Sequence, residues 1–202
     1  MTSKNELPDA PAHKQRLSKG SRLLRLIGAA LDPRAWIHPI RLINYYNYTH
    51  VIPRRIMKIG PGCRISPNVS FQNAERIEIG ARVGIGAHCY IWGGPGRGRV
   101  VIGEDTLFGP DVLVTAAGYR YNDGAPVTKQ ASDEADVIIG RDVWLGARVI
   151  VLPGAVIGDG AIIGAGSLVR GAIPAMAVAV GTPARVVGAR RIGESKPPAA
   201  EG

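Results

Sequence analysis

The sequence predicts an all-β fold, a parallel β-helix of about five coils behind an N-terminal helical extension. Three observations carry this. From Ile59 onward an aliphatic residue, often followed by Gly, returns every six residues. Glycine is abundant, at 27 of 202 residues, while aromatic residues make up only 5%, as frequent turns around a narrow aliphatic core require. All interruptions of the period fall at one phase, which is the mark of loops leaving one corner of a repeating solid.

The first element is residues 1–20, which read as a disordered basic tail. Its beginning, Met1 to Ala12, is polar and broken by proline, so a secretory signal is not expected. Residues 21–58 read as a helical capping segment. Leu23, Leu24, Ile27 and Leu31 recur at helical spacing, and Asp32-Pro33 ends that run. The stretch Ile37 to Ile56 is rich in Ile and Tyr and is less readable. The segment either caps the open end of the prism or lies on a membrane as a basic amphipathic helix. The chain has no apolar run of about 18 residues or more, so no membrane span is expected, and the expected location is the cytoplasm, with the inner face of the membrane as a variant.

The coils occupy residues 59–188. Sets of three hexapeptides start at Ile59, Ile79, Ile102, Ile139 and Ile157, at offsets of 20, 23, 37 and 18 residues. Three hexapeptides make 18 residues, so insertions of 2, 5 and 19 follow the third hexapeptide of the first three sets. Each hexapeptide is a short strand and a turn, with side chains alternating in and out. The first position points inward. The fifth must also be compact, and it holds Cys63, Val69, Val83, Cys89, Thr106, Val112, Val143, Val149, Ala155, Ala161 and Ser167. Both cysteines are therefore expected to be inert core residues. Gly at the second position is expected to supply positive φ at a tight corner. Ala175 to Val187 makes a partial further coil, and residues 189–202 read as a tail.

Net charge is +9. The excess reads either as a solvated basic surface or as attraction to anions such as cofactor phosphates, acidic glycans or a membrane. No nucleic-acid-binding signature is present, so nucleic acid is not an expected partner.

The stretch IIGRDVWLGARVIVLPGAVIGDGAIIGAGSLV, followed by VAVGTPARVV, resembles the hexapeptide-repeat acyltransferases, in particular the sugar and xenobiotic O-acetyltransferases that include the maltose and galactoside enzymes. General rules favour right-handed crossovers; the resemblance instead implies a left-handed prism. It also implies acetyl-CoA, or another acyl-CoA, as co-substrate, a saccharide or polysaccharide-precursor acceptor, and a homotrimer with sites between subunits. On the matching positions, Trp144, Gly146, Ala147, Ala165, Ser167, Arg170 and Arg185 are the expected cofactor-binding residues. Backbone at Ala147 and Ala165 would meet the pantetheine arm. Arg170 and Arg185 would face the phosphates, where charge-assisted hydrogen bonds are strong. Two further basic positions of the family are Gly171 and Gly188 here, so the phosphate contacts are expected either to be fewer or to be supplied by Arg190. No metal is expected.

One departure bears on catalysis. Acyl transfer to a hydroxyl needs a base and an oxyanion donor. The family's catalytic His position holds Tyr119, in VTAAGYRYNDGAPVTKQ. A phenol with an ordinary pKa of about 10 is a poor base at neutral pH. Tyr119 is then a hydrogen-bond donor, or Asp123, Glu134 or His88 is the base, or the protein binds without turnover. Arg120, Asn122, Asp123 and Gln130 of the long insertion are expected to be functional. Polar positions that hold the sugar in the galactoside enzymes are Gly86 and Gly94 here. A γ-type carbonic anhydrase, which shares this prism, needs three His ligands on zinc, and the coils contain only His88.

Overall fold

The structure, a computed structural model, describes residues 18–193. Residues 1–17 of the expected basic tail and 194–202 of the C-terminal tail lie outside the described residues. The chain divides into two compact units, residues 1–44 and 45–202.

The first unit is helical. Helix α1 (Lys19–Leu31) begins within the expected tail and is capped by Ser18, whose side chain accepts from the Ser21 amide at 3.2 Å. It ends at Asp32, in extended conformation, and α2 (Pro33–Tyr46) follows at once. Pro33 suits the start of a helix, where its missing N–H has no partner to lose. The Asp32 carboxylate accepts from the Arg34 amide at 2.9 Å, and Trp36 Nε1 donates to the Ala30 carbonyl at 2.8 Å. Neither helix buries a side chain within the chain.

The second unit is a left-handed parallel β-helix of about six turns. Among the described residues three parallel sheets form its faces. The first holds Lys58–Ile59, Ile77–Ile79, Val100–Ile102, Val137–Ile139, Val156–Ile157 and Ala172–Ile173. The second holds Arg64–Ile65, Gly84–Ile85, Leu107–Phe108, Trp144–Leu145, Ile162–Ile163 and Ala177–Gly181, and ends in the antiparallel strand Ala184–Ala189. The third holds Ser70–Gln72, Tyr90–Trp92, Leu113–Thr115, Ile150–Val151 and Leu168–Val169. The partial coil read from Ala175 onward supplies the sixth rung of the second face, and the sixth rung of the first face begins earlier, at Ala172–Ile173.

Register stacks like positions on like. Ile79, Ile102, Ile139, Ile157 and Ile173 form one inward ladder. Phe71, Ile91, Val114, Val151 and Val169 form another. Each such side chain contributes roughly 1.5–3 kcal/mol on full burial, and only a neighbouring coil completes that burial. Fifth positions from Val69 to Ser167 are at most 1% exposed. Cys89 is among them, and burial pushes its thiol up to about 11, so it is an inert core residue. Cys63, on the first coil, is only half-buried and donates to the Gly80 carbonyl.

The role expected for second-position glycine is corrected. Positive φ falls at the fourth position, at Arg82, His88, Asp105, Asp111, Asp142, Arg148, Gly154, Gly160 and Gly166. The second-position glycines are required for a different reason, the close stacking of coils. A Cβ on Gly103 would lie 2.5 Å from the Arg141 amide nitrogen, and one on Gly146 would lie 2.6 Å from that of Ala165.

The prism's first coil is covered by chain from the same unit. A π turn (Asn47–Val51) and α3 (Pro53–Ile56) pack on Ser70–Gln72 and on the turn Ala74–Arg76. Thr49, His50, Pro53 and Met57 are buried there. Arg54 donates to the Ser66 carbonyl at 2.7 Å and lies over the Phe71 ring at 5.9 Å. Desolvation, and then the nearby Arg54 charge, hold the His50 imidazole below its ordinary pKa.

Candidate functional site

The third corner of the prism is where the chain leaves the repeat. Its outward second positions are Gln72, Trp92, Thr115, Leu152 and Arg170, and none is glycine. Strand register places Gln72 beside Trp92 and Trp92 beside Thr115. Two insertions rise from this column, residues 93–99 and 116–136. The longer one folds into an antiparallel hairpin, Ala117–Tyr119 with Ser132–Glu134, in which Tyr119 pairs with Ser132.

A cavity of about 470 Å³ opens between the hairpin and the third sheet. Gln72, Asn73, Trp92, Thr115, Tyr119 and Ser132 line it with Gly93, Pro95, Ala117 and Gly118. A second hollow of about 370 Å³ shares Thr115, Ala117, Gly118 and Tyr119 and continues to Tyr121, Asp133, Leu152, Pro153 and Arg170. The two form a trough past the exposed Tyr119. Trp92 Nε1 is buried and has no hydrogen-bond partner among the described residues. A buried donor without an acceptor is unfavourable by about 1–3 kcal/mol. Trp92 was not singled out from the sequence. The signal was present, since the second position is Gly or Ser in every first and second hexapeptide of the five sets, yet not in the third.

The insertions are stitched together by carboxylates. Glu134 accepts from the amides of Gly96 (2.9 Å), Arg97 (2.6 Å) and Gly98 (2.8 Å). The Gly98 and Arg97 hydrogen bonds chiefly hold its carboxyl below the ordinary glutamate range. Asp136 accepts from the Arg99 amide at 2.8 Å. The expectation that Glu134 is a base is therefore corrected: its oxygens are committed to the loop, and its lowered basicity opposes proton abstraction. The same contact explains Gly94, where a Cβ would collide with the Glu134 carboxylate. Gln130 is corrected likewise, because its amide donates to the Ala125 carbonyl and accepts from the Asp123 amide within the loop. Asp123 itself is exposed and lines neither hollow. His88 sits at the second corner with φ of 57°, exposed and 3.8 Å from Asp111. No carboxylate or imidazole lines the larger cavity.

The expected cofactor residues fall on other faces. Trp144 stands on the second sheet between Leu107 and Ile162, half exposed. Gly146-Ala147 and Ala165 stack on successive coils at the second corner, where the Gly166 amide donates to the Ala147 carbonyl at 2.8 Å. Ser167 is core-facing: its Oγ accepts from the Gly181 amide at 3.0 Å, its amide donates to the Gly164 carbonyl and its carbonyl accepts from the Ile150 amide, so its polar groups are committed within the prism. Arg185 lies on the last strand of the second sheet, and Arg170 borders the trough on the third. Both are exposed, and neither takes part in an ion pair among the described residues. Arg190, expected to supply a phosphate contact, is instead paired to Asp142 at 2.7 Å. One chain thus separates Tyr119 and Arg170 from Trp144, Ala147 and Arg185.

Comparison with known proteins agrees with this architecture. The family described as bacterial transferase hexapeptide (six repeats) matches residues 136–171. Nodulation protein L of Rhizobium meliloti (strain 1021) is 38% identical over 133 residues, covering 65% of this chain and 69% of that protein. The putative lipopolysaccharide biosynthesis O-acetyl transferase WbbJ of Escherichia coli (strain K12) is 38% identical over 96 residues, covering 44% of this chain and 49% of that one, so the match spans about half of that relative's length. Among solved structures, a maltose O-acetyltransferase from Clostridium difficile 630 is 26% identical with a TM-score of 0.62, covering 75% of this chain and 83% of that one. Periodicity, stacked coils and these likenesses agree, and the chain belongs to the bacterial hexapeptide-repeat transferase family.

Proposed function

We propose that this protein is an acyltransferase that moves an acyl group, acetyl in the simplest case, from coenzyme A to a hydroxyl of a saccharide or polysaccharide precursor. The observation that carries the reading is the trough past Tyr119, a cavity with a stacking surface and hydrogen-bonding groups at the position where the resembled enzymes hold their catalytic residue. Similarity to proteins named as O-acetyltransferases supports the reaction class. In the transfer, a bond forms from the acceptor oxygen to the acyl carbon, the carbon–sulfur bond breaks, and the hydroxyl proton leaves as the thiol forms.

The residues present fit such a donor. Coenzyme A, when bound, supplies the thioester. Arg170 and Arg185, exposed and without ion pairs, suit its phosphates. Trp144 and the corner backbone at Gly146, Ala147 and Ala165 suit its extended arm, and Ser167 supports that corner from the core. All of these groups except Arg170 lie on faces other than the one that carries Tyr119. The reading therefore requires a homotrimer in which the trough of one prism meets the second sheet of its neighbour. Acyl-CoA as donor places the reaction in the cytoplasm.

In the trough, Trp92 Nε1 and the Ser132, Thr115 and Gln72 side chains orient the acceptor. The Tyr119 hydroxyl donates a hydrogen bond towards the reacting oxygens. Orientation alone is an effective source of rate. The larger cavity is lined by no carboxylate or imidazole, the trough's one carboxylate, Asp133, lying on the second hollow, and this favours one second reading, binding without turnover. Incubation with acetyl-CoA and a saccharide panel, following free thiol, separates the two. Acceptor-dependent thiol release is the expected result. Tight coenzyme A binding with no release above background for any acceptor would establish the second reading.

A further inference from the structure

The helical unit before the prism has an apolar stripe that no described residue of that unit covers. Leu24, Leu26 and Ile27 lie on one side of α1, and Trp36, Ile40 and Ile43 on one side of α2, at 100° per residue. These six side chains are 48% to 72% exposed. Single exposed apolar residues need no explanation, but a contiguous stripe on both helices of a unit marks an interaction surface.

Charge identifies the occupant. Between Lys19 and Tyr46 the basic residues are Lys19, Arg22, Arg25, Arg34 and Arg41, and the one acidic residue is Asp32. The Asp32 carboxylate caps α2 through the Arg34 amide. On α1 Arg25 stands on the side away from Leu24, Leu26 and Ile27 while Arg22 borders Leu26, and on α2 Arg34 and Arg41 stand on the side away from Trp36, Ile40 and Ile43. Two copies meeting through the stripe would cover it but leave the arginines on the far sides of the helices unmatched. A nucleic acid would match the arginines but leave the leucines and isoleucines in water. An anionic bilayer satisfies both sets, taking the apolar stripe to the level of the headgroups and the arginines to the lipid phosphates. Trp36, Tyr45 and Tyr46, all more than half exposed, are of the type enriched at that interface. No helix among the described residues is long and apolar enough to cross a membrane.

We infer that α1 and α2 dock the protein on the surface of a membrane rich in anionic lipid, with the helices lying in the interface. The inference does not rest on the acyl-transfer reading. Docking brings the trough to acceptors carried on or made at that surface.

The full chain should be sedimented with vesicles of phosphatidylcholine alone and of phosphatidylcholine with about a third phosphatidylglycerol. Binding to the anionic vesicles is expected to be at least about tenfold stronger and to weaken in high salt. Arg22→Glu with Arg25→Glu, and separately Leu26→Asp with Ile40→Asp, should each abolish the preference. Both variants should keep the thermal unfolding of the prism and thiol release to a soluble acceptor. Absence of wild-type binding to anionic vesicles, or equal binding to both vesicle types, overturns the inference. So does a Leu26→Asp, Ile40→Asp variant that dissociates an oligomer in sedimentation velocity yet binds anionic vesicles as wild type, because the stripe is then an interface between copies.

Discussion

The first two corners of the prism and the third are built from one hexapeptide and obey different constraints. At the first two, successive turns stack backbone on backbone, and a Cβ at Gly80, Gly103, Gly109 or Gly146 would come within 2.7 Å of an amide nitrogen of the next coil. At the third corner the turn is opened by insertions, and the same position carries Gln72, Trp92, Thr115, Leu152 and Arg170. Where coils must touch, the position is glycine throughout the five sets except at Ser66. Where the chain departs, the position is free for larger side chains, and the trough forms there. The comparison teaches that close stacking and room for a cavity occupy different corners of one repeat.

The largest effect expected from this contrast is at a closed corner. Gly103→Ala forces a methyl against the Arg141 amide and should destabilise the prism by about 2–4 kcal/mol. Thr115→Ala, one step along the same coil at the open corner, should remain under about 1 kcal/mol. Chemical denaturation of both variants measures the difference, and equal losses would break the comparison. Next in size is the open corner's chemistry. Tyr119→His should raise acceptor-dependent thiol release by about a hundredfold or more, within the range typical of a general base, whereas Tyr119→Phe should lower it. Unchanged turnover in both would remove Tyr119 from the reaction.

A smaller effect is expected at the donor groups. Arg185→Ala and Arg170→Ala should each weaken coenzyme A binding roughly tenfold, the scale of one charge-assisted hydrogen bond. Calorimetry with coenzyme A measures it, and Arg190→Ala serves as contrast because its guanidinium is already held by Asp142. The smallest effect is local. Because the folded state lowers the pKa of Glu134, the loop stabilisation is fully present above the ordinary glutamate value. It is lost as pH falls through the lower folded value. Amide exchange at Arg97 and Gly98 should accelerate in that acid range while the prism core stays protected. Glu134→Gln should remove most of the pH dependence.

Much of the second unit was legible in the sequence. Its six-residue period predicted the inward ladders, the buried fifth positions and the single insertion corner, because a solenoid repeats its local environment with its sequence. Legibility failed where a residue's role depends on a neighbouring coil. Second-position glycine looked like a turn residue and is a packing residue. Glu134 looked like a candidate base and is held by three amides from a loop 36 residues away in sequence or more. The helical spacing of Leu23, Leu24, Ile27 and Leu31 was readable, and the entry of α2 at Pro33 was not anticipated because Asp32-Pro33 reads equally as an end.

By itself the sequence determined the repeat, the family and the register of the coils. These are local or periodic properties, and periodicity survives without knowledge of contacts. Only the tertiary structure decided which polar groups remain available. It bound Glu134, Gln130 and Arg190 to protein partners, and it left Trp92 Nε1 without one at the wall of a cavity. The physical reason is that a hydrogen bond or an ion pair is made across space, between coils and loops that the sequence separates.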